Sequence, residues 1–205
     1  MTLRRIVVLF TFAAFGLAGS FLQAESPNIR FKKTQLDGEF RSEGVAAGDF
    51  NRDGRVDIAA GFVWYEAPDW KLHKITADAK AVDPKGYSNS FANFAQDVNH
   101  DGWTDLIVID FPGMPTWWFE NPRNQPGPWQ RHEVTPVSNN ESPQLVDLTG
   151  DGKKELVMGF SPDAKNPDGP DRRMAFLTPR TDPTAPWMLH HARRELVGCG
   201  RGRGQ

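Results

Sequence analysis

The sequence predicts an all-β protein that is built from a repeated unit of about fifty residues. Three observations support this prediction: short apolar runs bounded by Gly, Pro and Asp, an acidic loop that occurs three times, and a tryptophan segment that recurs in step with it. The apolar runs cover residues 57–62, 105–110 and 155–160. Their shortness and their lack of a helical period indicate strands.

The acidic loops follow the pattern D-x-N-x-D-G-x-x-D. They begin at Asp49, Asp97 and Asp147, so that successive copies are 48 and 50 residues apart. The third copy departs from the pattern, with Thr149 at position 3 and Glu155 at position 9. A strand is predicted before each loop, over residues 44–49, 91–97 and 144–147, and the apolar runs supply the strand after it.

The tryptophan segment reads Trp-x-Glu-x-Pro at residues 64–68 and 118–122, and a Trp-x-x-His pattern ends at His73, His132 and His190. These two patterns add two strands to each repeat. Four short strands in a unit of about 40 to 50 residues make one blade of a β-propeller. A β-sandwich would not explain the nearly constant period. The predicted fold is therefore a partial or open propeller of about three and a fraction four-stranded antiparallel blades.

Each acidic loop offers only oxygen ligands, which suit Ca²⁺ better than Mg²⁺ and suit zinc poorly. The side chains at positions 1, 3, 5 and 9 and the backbone carbonyl at position 7 are the candidate ligands. They are Asp49, Asn51, Asp53, Arg55 and Asp57 in the first loop, Asp97, Asn99, Asp101, Trp103 and Asp105 in the second, and Asp147, Thr149, Asp151, Lys153 and Glu155 in the third. We expect up to three structural Ca²⁺ sites, the third being the weakest because a threonine stands at position 3.

The loops suggest two other interpretations, of which one fails and one stays open. An EF-hand needs a bidentate Glu at position 12, where this sequence has Ala60, Val108 and Met158, so that interpretation fails. A metal-free turn remains the alternative, since Asn, Asp and Gly favour turns by themselves. Calcium is favoured because three nearby carboxylates repel one another unless a cation neutralises them. It would also replace disulfides, because the only cysteine is Cys199.

These loops and tryptophan segments resemble the FG-GAP or VCBS repeats of integrin-α-like β-propellers, especially the secreted bacterial kind with W-[YF]-E-[NA]-P segments. The resemblance covers roughly residues 29–191. It implies a calcium-binding module with a binding or scaffold role toward a protein or carbohydrate ligand. The chain departs from the family in size, because a closed ring needs at least about four blades.

The two ends of the chain differ from the repeats. Residues 1–24 are predicted to be a signal peptide, because Arg4 and Arg5 precede a twelve-residue, mainly apolar run that ends before Ala24. This run is too short to span a bilayer, so we expect a secreted, periplasmic or cell-surface protein with no membrane span after cleavage. Residues 25–192 carry the repeats. Residues 193–205 form an atypical Gly/Arg tail, which suggests a truncated or frame-shifted reading frame or, alternatively, an anion-binding tail.

Composition and motifs limit the function further. The 24 Lys and Arg against 26 Asp and Glu give a net charge of -2, which argues against nucleic-acid binding. The recurring histidines and the glutamates Glu66 and Glu120 are expected to be structural, and we identify no catalytic residue and predict no enzyme. The alternative is the front part of a carbohydrate-active enzyme of the sugar dehydratase or polysaccharide lyase type.

Overall fold

The computed structural model describes residues 29–138, 142–161 and 173–191. By its contacts the chain divides into two units, Met1–Thr34 and Gln35–Gln205. The first unit is described only over residues 29–34, which form no strand. The predicted signal peptide at 1–24 and the predicted tail at 193–205 lie outside the described residues. Among the described residues, no helix is both long and apolar enough to cross a membrane.

The second unit contains three antiparallel sheets of four strands, each connected in sequence order. The first sheet consists of β1 (Val45–Gly48), β2 (Asp57–Ala60), β3 (Val63–Glu66) and β4 (Lys71–Lys74). The second consists of β5 (Ala92–Gln96), β6 (Asp105–Ile109), β7 (Met114–Glu120) and β8 (Gln130–Ser138). The third consists of β9 (Gln144–Val146), β10 (Glu155–Phe160), β11 (Arg173–Thr178) and β12 (Met188–His191). The predicted all-β class and four-stranded blades are confirmed.

One strand was missed by the sequence patterns. In the third sheet, β11 occupies the place of the Trp-x-Glu strand although the chain has neither residue there. The strand registers show the correspondence, because Trp64 pairs with His73, Trp118 with His132, and Phe176 with His190. Phe176 and Thr178 therefore stand at the Trp and Glu positions of the third blade.

The blades pack through two apolar layers, and the second sheet contributes to both. Leu106 and Val108 of β6 lie with Ala59 and Trp64 of the first sheet in one layer. Their neighbours Ile107 and Ile109 lie in the other layer, together with Leu156, Met158 and Leu177 of the third sheet. Because successive side chains of a strand point to opposite faces, every residue of β6 is buried.

The outer face of the first sheet is covered by the chain's own segments. Val63 and Tyr65 pack there with Leu36, Trp70 and Ala79. The Tyr65 hydroxyl donates to Asp37 at 2.7 Å, and Arg41 donates to the same carboxylate at 2.8 Å. Burial raises the pKa of Asp37, but hydrogen bonds from Tyr65, the Glu39 amide and Arg41 outweigh it and lower the pKa to about 2.

Candidate metal centre

The three acidic loops share one backbone arrangement around the carboxylate at position 1. Asp49 accepts hydrogen bonds from the amides of Asp53 at 3.1 Å and Gly54 at 2.9 Å. The corresponding amides bond to Asp97 and Asp147 at the same distances. The glycine at position 6 makes this turn possible, since its φ is +83°, +85° and +84° in the three loops. The sequence pattern therefore folds into the same loop three times.

The position-9 carboxylates point inward and hold the loop to the rest of the blade. Asp57 accepts from the amides of Phe50 at 3.0 Å and Ala67 at 2.8 Å. Asp105 accepts from Val98 at 2.9 Å and Asn121 at 2.8 Å, and both carboxylates are fully buried. In the third loop, Glu155 accepts from the amides of Leu148 and Thr149. From the sequence these residues were predicted only to bind metal, and their anchoring role was missed.

Burial and mutual repulsion act together on these carboxylates. Desolvation raises the pKa of Asp105 to about 7, against the opposing effect of its two backbone hydrogen bonds. The charges of Asp101 and Asp97 raise it further. The pKa of Asp57 is raised by the same causes, with Asp53 and Asp49 as the repelling neighbours. The acids at positions 1, 5 and 9 therefore interact electrostatically within each of these two loops.

The carboxylates at position 5 lie at the outer part of the loops and have different local partners. Asp101 is paired with the Arg123 guanidinium at 2.8 Å. Asp53 accepts from the Arg55 amide at 2.9 Å, and the Arg55 guanidinium is more distant, at 3.9 Å. Asp151 accepts from the Lys153 amide at 2.9 Å in a loop that is exposed at each position from 147 to 154. The position-5 carboxylate of the second loop thus already has a close cationic partner. The position-5 carboxylates of the other two loops are more exposed to solvent.

The chemistry of the donor set fits a calcium ion in the first two loops. Each supplies carboxylate oxygens at positions 1 and 5, an amide oxygen at position 3 and a main-chain carbonyl at position 7. The third loop fits less well, since Thr149 replaces the amide. In residues 29–138, 142–161 and 173–191, no three His, Cys, Asp or Glu side chains form a group suited to a metal. A ligand set here would therefore depend on the amide and carbonyl oxygens as well as the carboxylates.

A second polar network joins the acidic loop to the tryptophan segment, and sequence reasoning missed it. The Asn51 amide donates to Glu66 at 3.2 Å, and the other Glu66 oxygen lies 2.6 Å from His73 Nε2. His73 stacks on Trp64, with 4.3 Å between ring centroids.

The second blade repeats the network. Asn99 contacts Glu120 at 3.2 Å, Glu120 contacts His132 at 3.1 Å, and His132 stacks on Trp118. In the third blade, His190 contacts Thr178 at 3.0 Å and stacks on Phe176. The sequence did contain an indication of this network, because the acidic loop and the tryptophan segment recur together along the chain.

The acidic loops border two clefts. One, of about 620 Å³, lies between the second and third loops and includes Asn99, Lys153 and Arg180 in its lining. Another, of about 560 Å³, lies beside the first loop and is lined in part by the Glu66 and His73 pair. The loops are therefore accessible to a ligand from the clefts beside them.

The three stacked sheets with matching loops define a repeat protein of propeller-like blades. Residues 97–158 match the family model of the FG-GAP-like repeat, a span from the first aspartate of the second loop to the middle of β10. This part of the chain therefore carries an FG-GAP-like repeat. No curated protein matches it. The narrower likeness to integrin-α-like and secreted bacterial propellers remains a prediction.

Proposed function

We propose that this protein is an exported, calcium-stabilised repeat module that binds a protein or carbohydrate ligand and has no catalytic role. The observation that carries the calcium proposal is the shared loop conformation, in which the position-1 carboxylate accepts the same two amides in all three loops. In the first two loops the carboxylates at positions 1 and 5 also repel the carboxylate at position 9. The residues that would hold the ion are those at positions 1, 3, 5 and 7 of each loop, and the inward-pointing carboxylate at position 9 would add its charge from behind them. Ca²⁺ would supply the positive charge that offsets this repulsion.

The first test is thermal unfolding with millimolar Ca²⁺ and then with chelator. A ligand that binds only the folded protein stabilises it by RT ln(1 + [L]/Kd), or about 2.7 kcal/mol at a hundredfold excess over Kd. For a chain of this size we expect calcium to raise Tm by about 5 to 10 °C. The same concentration of Mg²⁺ should raise it less, because Mg²⁺ requires a stricter geometry.

Substitutions distinguish a metal site from a metal-free turn. Asp53→Asn removes one loop charge, so we expect it to lose part of the calcium-dependent rise in Tm while changing Tm in chelator only slightly. The matched control is Asp83→Asn, because Asp83 accepts the same kind of i+2 amide bond at 2.9 Å outside the acidic loops. A calcium-independent Tm in the wild type, or equal losses in both variants, would support the metal-free turn.

Export and ligand binding are separate parts of the proposal. FG-GAP repeats are typical of extracellular proteins, and the clefts beside the loops give a ligand access to this face. Amino-terminal sequencing of the protein recovered outside the cytoplasm tests export, and a start at Glu25 is expected. Retention in the cytoplasm with residues 1–24 intact would contradict it.

An enzyme acting on carbohydrate is the second candidate. The partly exposed Glu66 and His73 pair in a cleft favours it, because such a pair is able to transfer protons. The same pair recurs as Glu120 and His132, however, where the histidine side chain is only 6% exposed. A repeated and buried pair supports a structural role, so the binding module remains the proposal.

A further inference from the structure

The first and second acidic loops hold their side-chain oxygens in the same way except at position 5. In both loops the carboxylate at position 1 accepts two backbone amides. The side-chain oxygen at position 3 accepts the amide of position 5, at 3.0 Å in the first loop and 3.1 Å in the second. One oxygen of the position-5 carboxylate accepts the amide of position 7 at 2.9 Å in each loop. The difference lies in what contacts the other oxygen of that carboxylate.

In the second loop this remaining oxygen is occupied by a guanidinium. Arg123 donates to Asp101 Oδ2 from Nε at 2.9 Å and from Nη2 at 2.8 Å, and Asn99 donates to the same oxygen at 3.3 Å. In the first loop the corresponding oxygen of Asp53 has only the Arg55 guanidinium near it, at 3.9 Å, which is beyond hydrogen-bond distance. The second loop thus has a positive charge in contact where the first loop is open.

A turn that is fixed to both loops places Arg123. Asn121 is buried and donates from its side-chain amide to the carbonyls of Phe50 in the first loop and Thr104 in the second, each at 2.8 Å. Its side-chain oxygen accepts the Arg123 amide at 2.9 Å. Asn124 then donates from its side chain to a carbonyl of the first loop at 3.1 Å. The Arg123 side chain therefore reaches the second loop from a backbone that is held on both sides.

The repeat shows that this charge is particular to the second blade. Arg123 directly follows the Trp-x-Glu-x-Pro segment at 118–122. The residue that follows the same segment at 64–68 is Asp69, which carries the opposite charge. In the third blade, where Phe176 stands at the Trp position, the corresponding residue is Thr181. Of the three blades, the second alone has a cation at this position of the sequence.

We propose that Arg123 is an internal counter-ion of the second loop and competes there with Ca²⁺, so that the first loop binds Ca²⁺ in preference to the second. This preference rests on the proposed binding of Ca²⁺ to the loops. An ion in the second loop would be repelled by the guanidinium that already contacts the position-5 carboxylate. The Arg123 side chain is 55% exposed, and exposed pairs contribute little to stability. Ca²⁺ at a higher concentration should therefore displace it.

Isothermal titration calorimetry of the full chain with Ca²⁺ measures the affinities. Asp53→Asn should weaken the tightest binding step, and Asp101→Asn should weaken a later one. In Arg123→Gln the step assigned to the second loop should tighten about five- to tenfold, because the competing charge is gone. Adding Asp101→Asn to Arg123→Gln should abolish this gain. An unchanged affinity in Arg123→Gln would overturn the proposal, as would a wild type in which the second loop binds more tightly than the first.

Two controls separate competition from a general effect of charge or structure. Arg131→Gln removes the same charge from a side chain that lies over the Trp117 ring at 4.3 Å, and it should change each Kd by less than about twofold. Arg123→Lys keeps the charge and should leave the second loop closer to its wild-type affinity than Arg123→Gln does. Equal tightening in Arg131→Gln, or identical behaviour of the Lys and Gln variants, would overturn the proposal.

The outcomes also distinguish this proposal from the calcium proposal on which it rests. Ca²⁺ binding that is indifferent to Arg123 would overturn the competition alone, whereas no binding to any variant would overturn both. Circular dichroism checks that each variant is folded. If Arg123→Gln fails to fold, the ranking of the two loops by Asp53→Asn and Asp101→Asn in the presence of Arg123 still decides, and equal affinities of the two loops would contradict the proposal.

Discussion

Asp57 and Asp105 illustrate how the placement of a single side chain alters its chemistry. Each is buried, accepts two backbone hydrogen bonds and lies near two other carboxylates of its loop. Water would solvate such a charge in an open loop, but here backbone amides do so instead. The balance raises the pKa of Asp105 to about 7, because desolvation is larger than the stabilisation from the two amides.

This raised pKa predicts a pH-dependent contribution to stability in the presence of chelator. The folded protein holds the Asp105 proton more tightly than the unfolded chain, whose carboxyl has the ordinary value of 3.8. Its contribution is therefore fully present below about pH 4 and is lost as the pH rises toward 7. We expect the free energy of unfolding of the wild type, relative to Asp105→Asn, to fall over this range. Urea denaturation at several pH values measures it, and a constant difference would contradict the prediction.

The close approach of β1 and β5 decides how the first two blades meet. A Cβ on Gly44 would lie 2.5 Å from the Ala92 Cα and 2.8 Å from the Asn93 nitrogen, both backbone atoms that cannot rotate away. The Gly44 amide also donates to the Ser90 carbonyl at 3.2 Å. The absence of a side chain at this position is thus required by a neighbouring blade and not by a turn.

Gly44→Ala should therefore separate the two strands and destabilise the protein by about 1 to 3 kcal/mol, as overpacking does. Gly38→Ala is the matched control, because nothing lies within 4 Å of a Cβ built there. It should change the free energy of unfolding by less than about 0.5 kcal/mol. Chemical denaturation of both variants measures the difference, and equal effects would show that the β1 and β5 contact is not close in solution.

The second sheet connects the first and third sheets, because it packs against both of them. β6 contributes alternate residues to both apolar layers, and the four buried tryptophans are divided between the layers, Trp64 and Trp129 in one and Trp118 and Trp187 in the other. Loss of either layer exposes one face of β6. The blades should consequently unfold together and not one after another.

A core substitution tests this cooperativity. Ile107→Ala removes a fully buried side chain from the layer between the second and third sheets and should cost about 2 to 5 kcal/mol. Tryptophan fluorescence and far-UV circular dichroism should report the same lowered midpoint in guanidinium. Val45→Ala, at a side chain that is 64% exposed, should leave both midpoints nearly unchanged. Two separate midpoints would indicate independent blades.

Much of the fold was accessible from the sequence because each repeat is a local unit. The acidic loop, its glycine at position 6 and the short apolar run after it lie within about a dozen residues of one another, so their chemistry defines a turn between two strands without help from the rest of the chain. β11 was missed for the opposite reason. Phe176 and Thr178 substitute for Trp and Glu, and only their pairing with β10 and β12 shows the equivalence.

The sequence by itself determined the all-β class, the period of the repeat and the oxygen-rich composition of the loops, since these depend on neighbouring residues and their turn chemistry. The tertiary structure decided what each side chain contacts. It turned Asp57 and Asp105 inward to backbone amides, joined Asn51 to Glu66 and His73, and left Leu148 exposed where Phe50 and Val98 are buried. These outcomes depend on residues far apart in the chain, and burial and electrostatics arise only when the blades pack together.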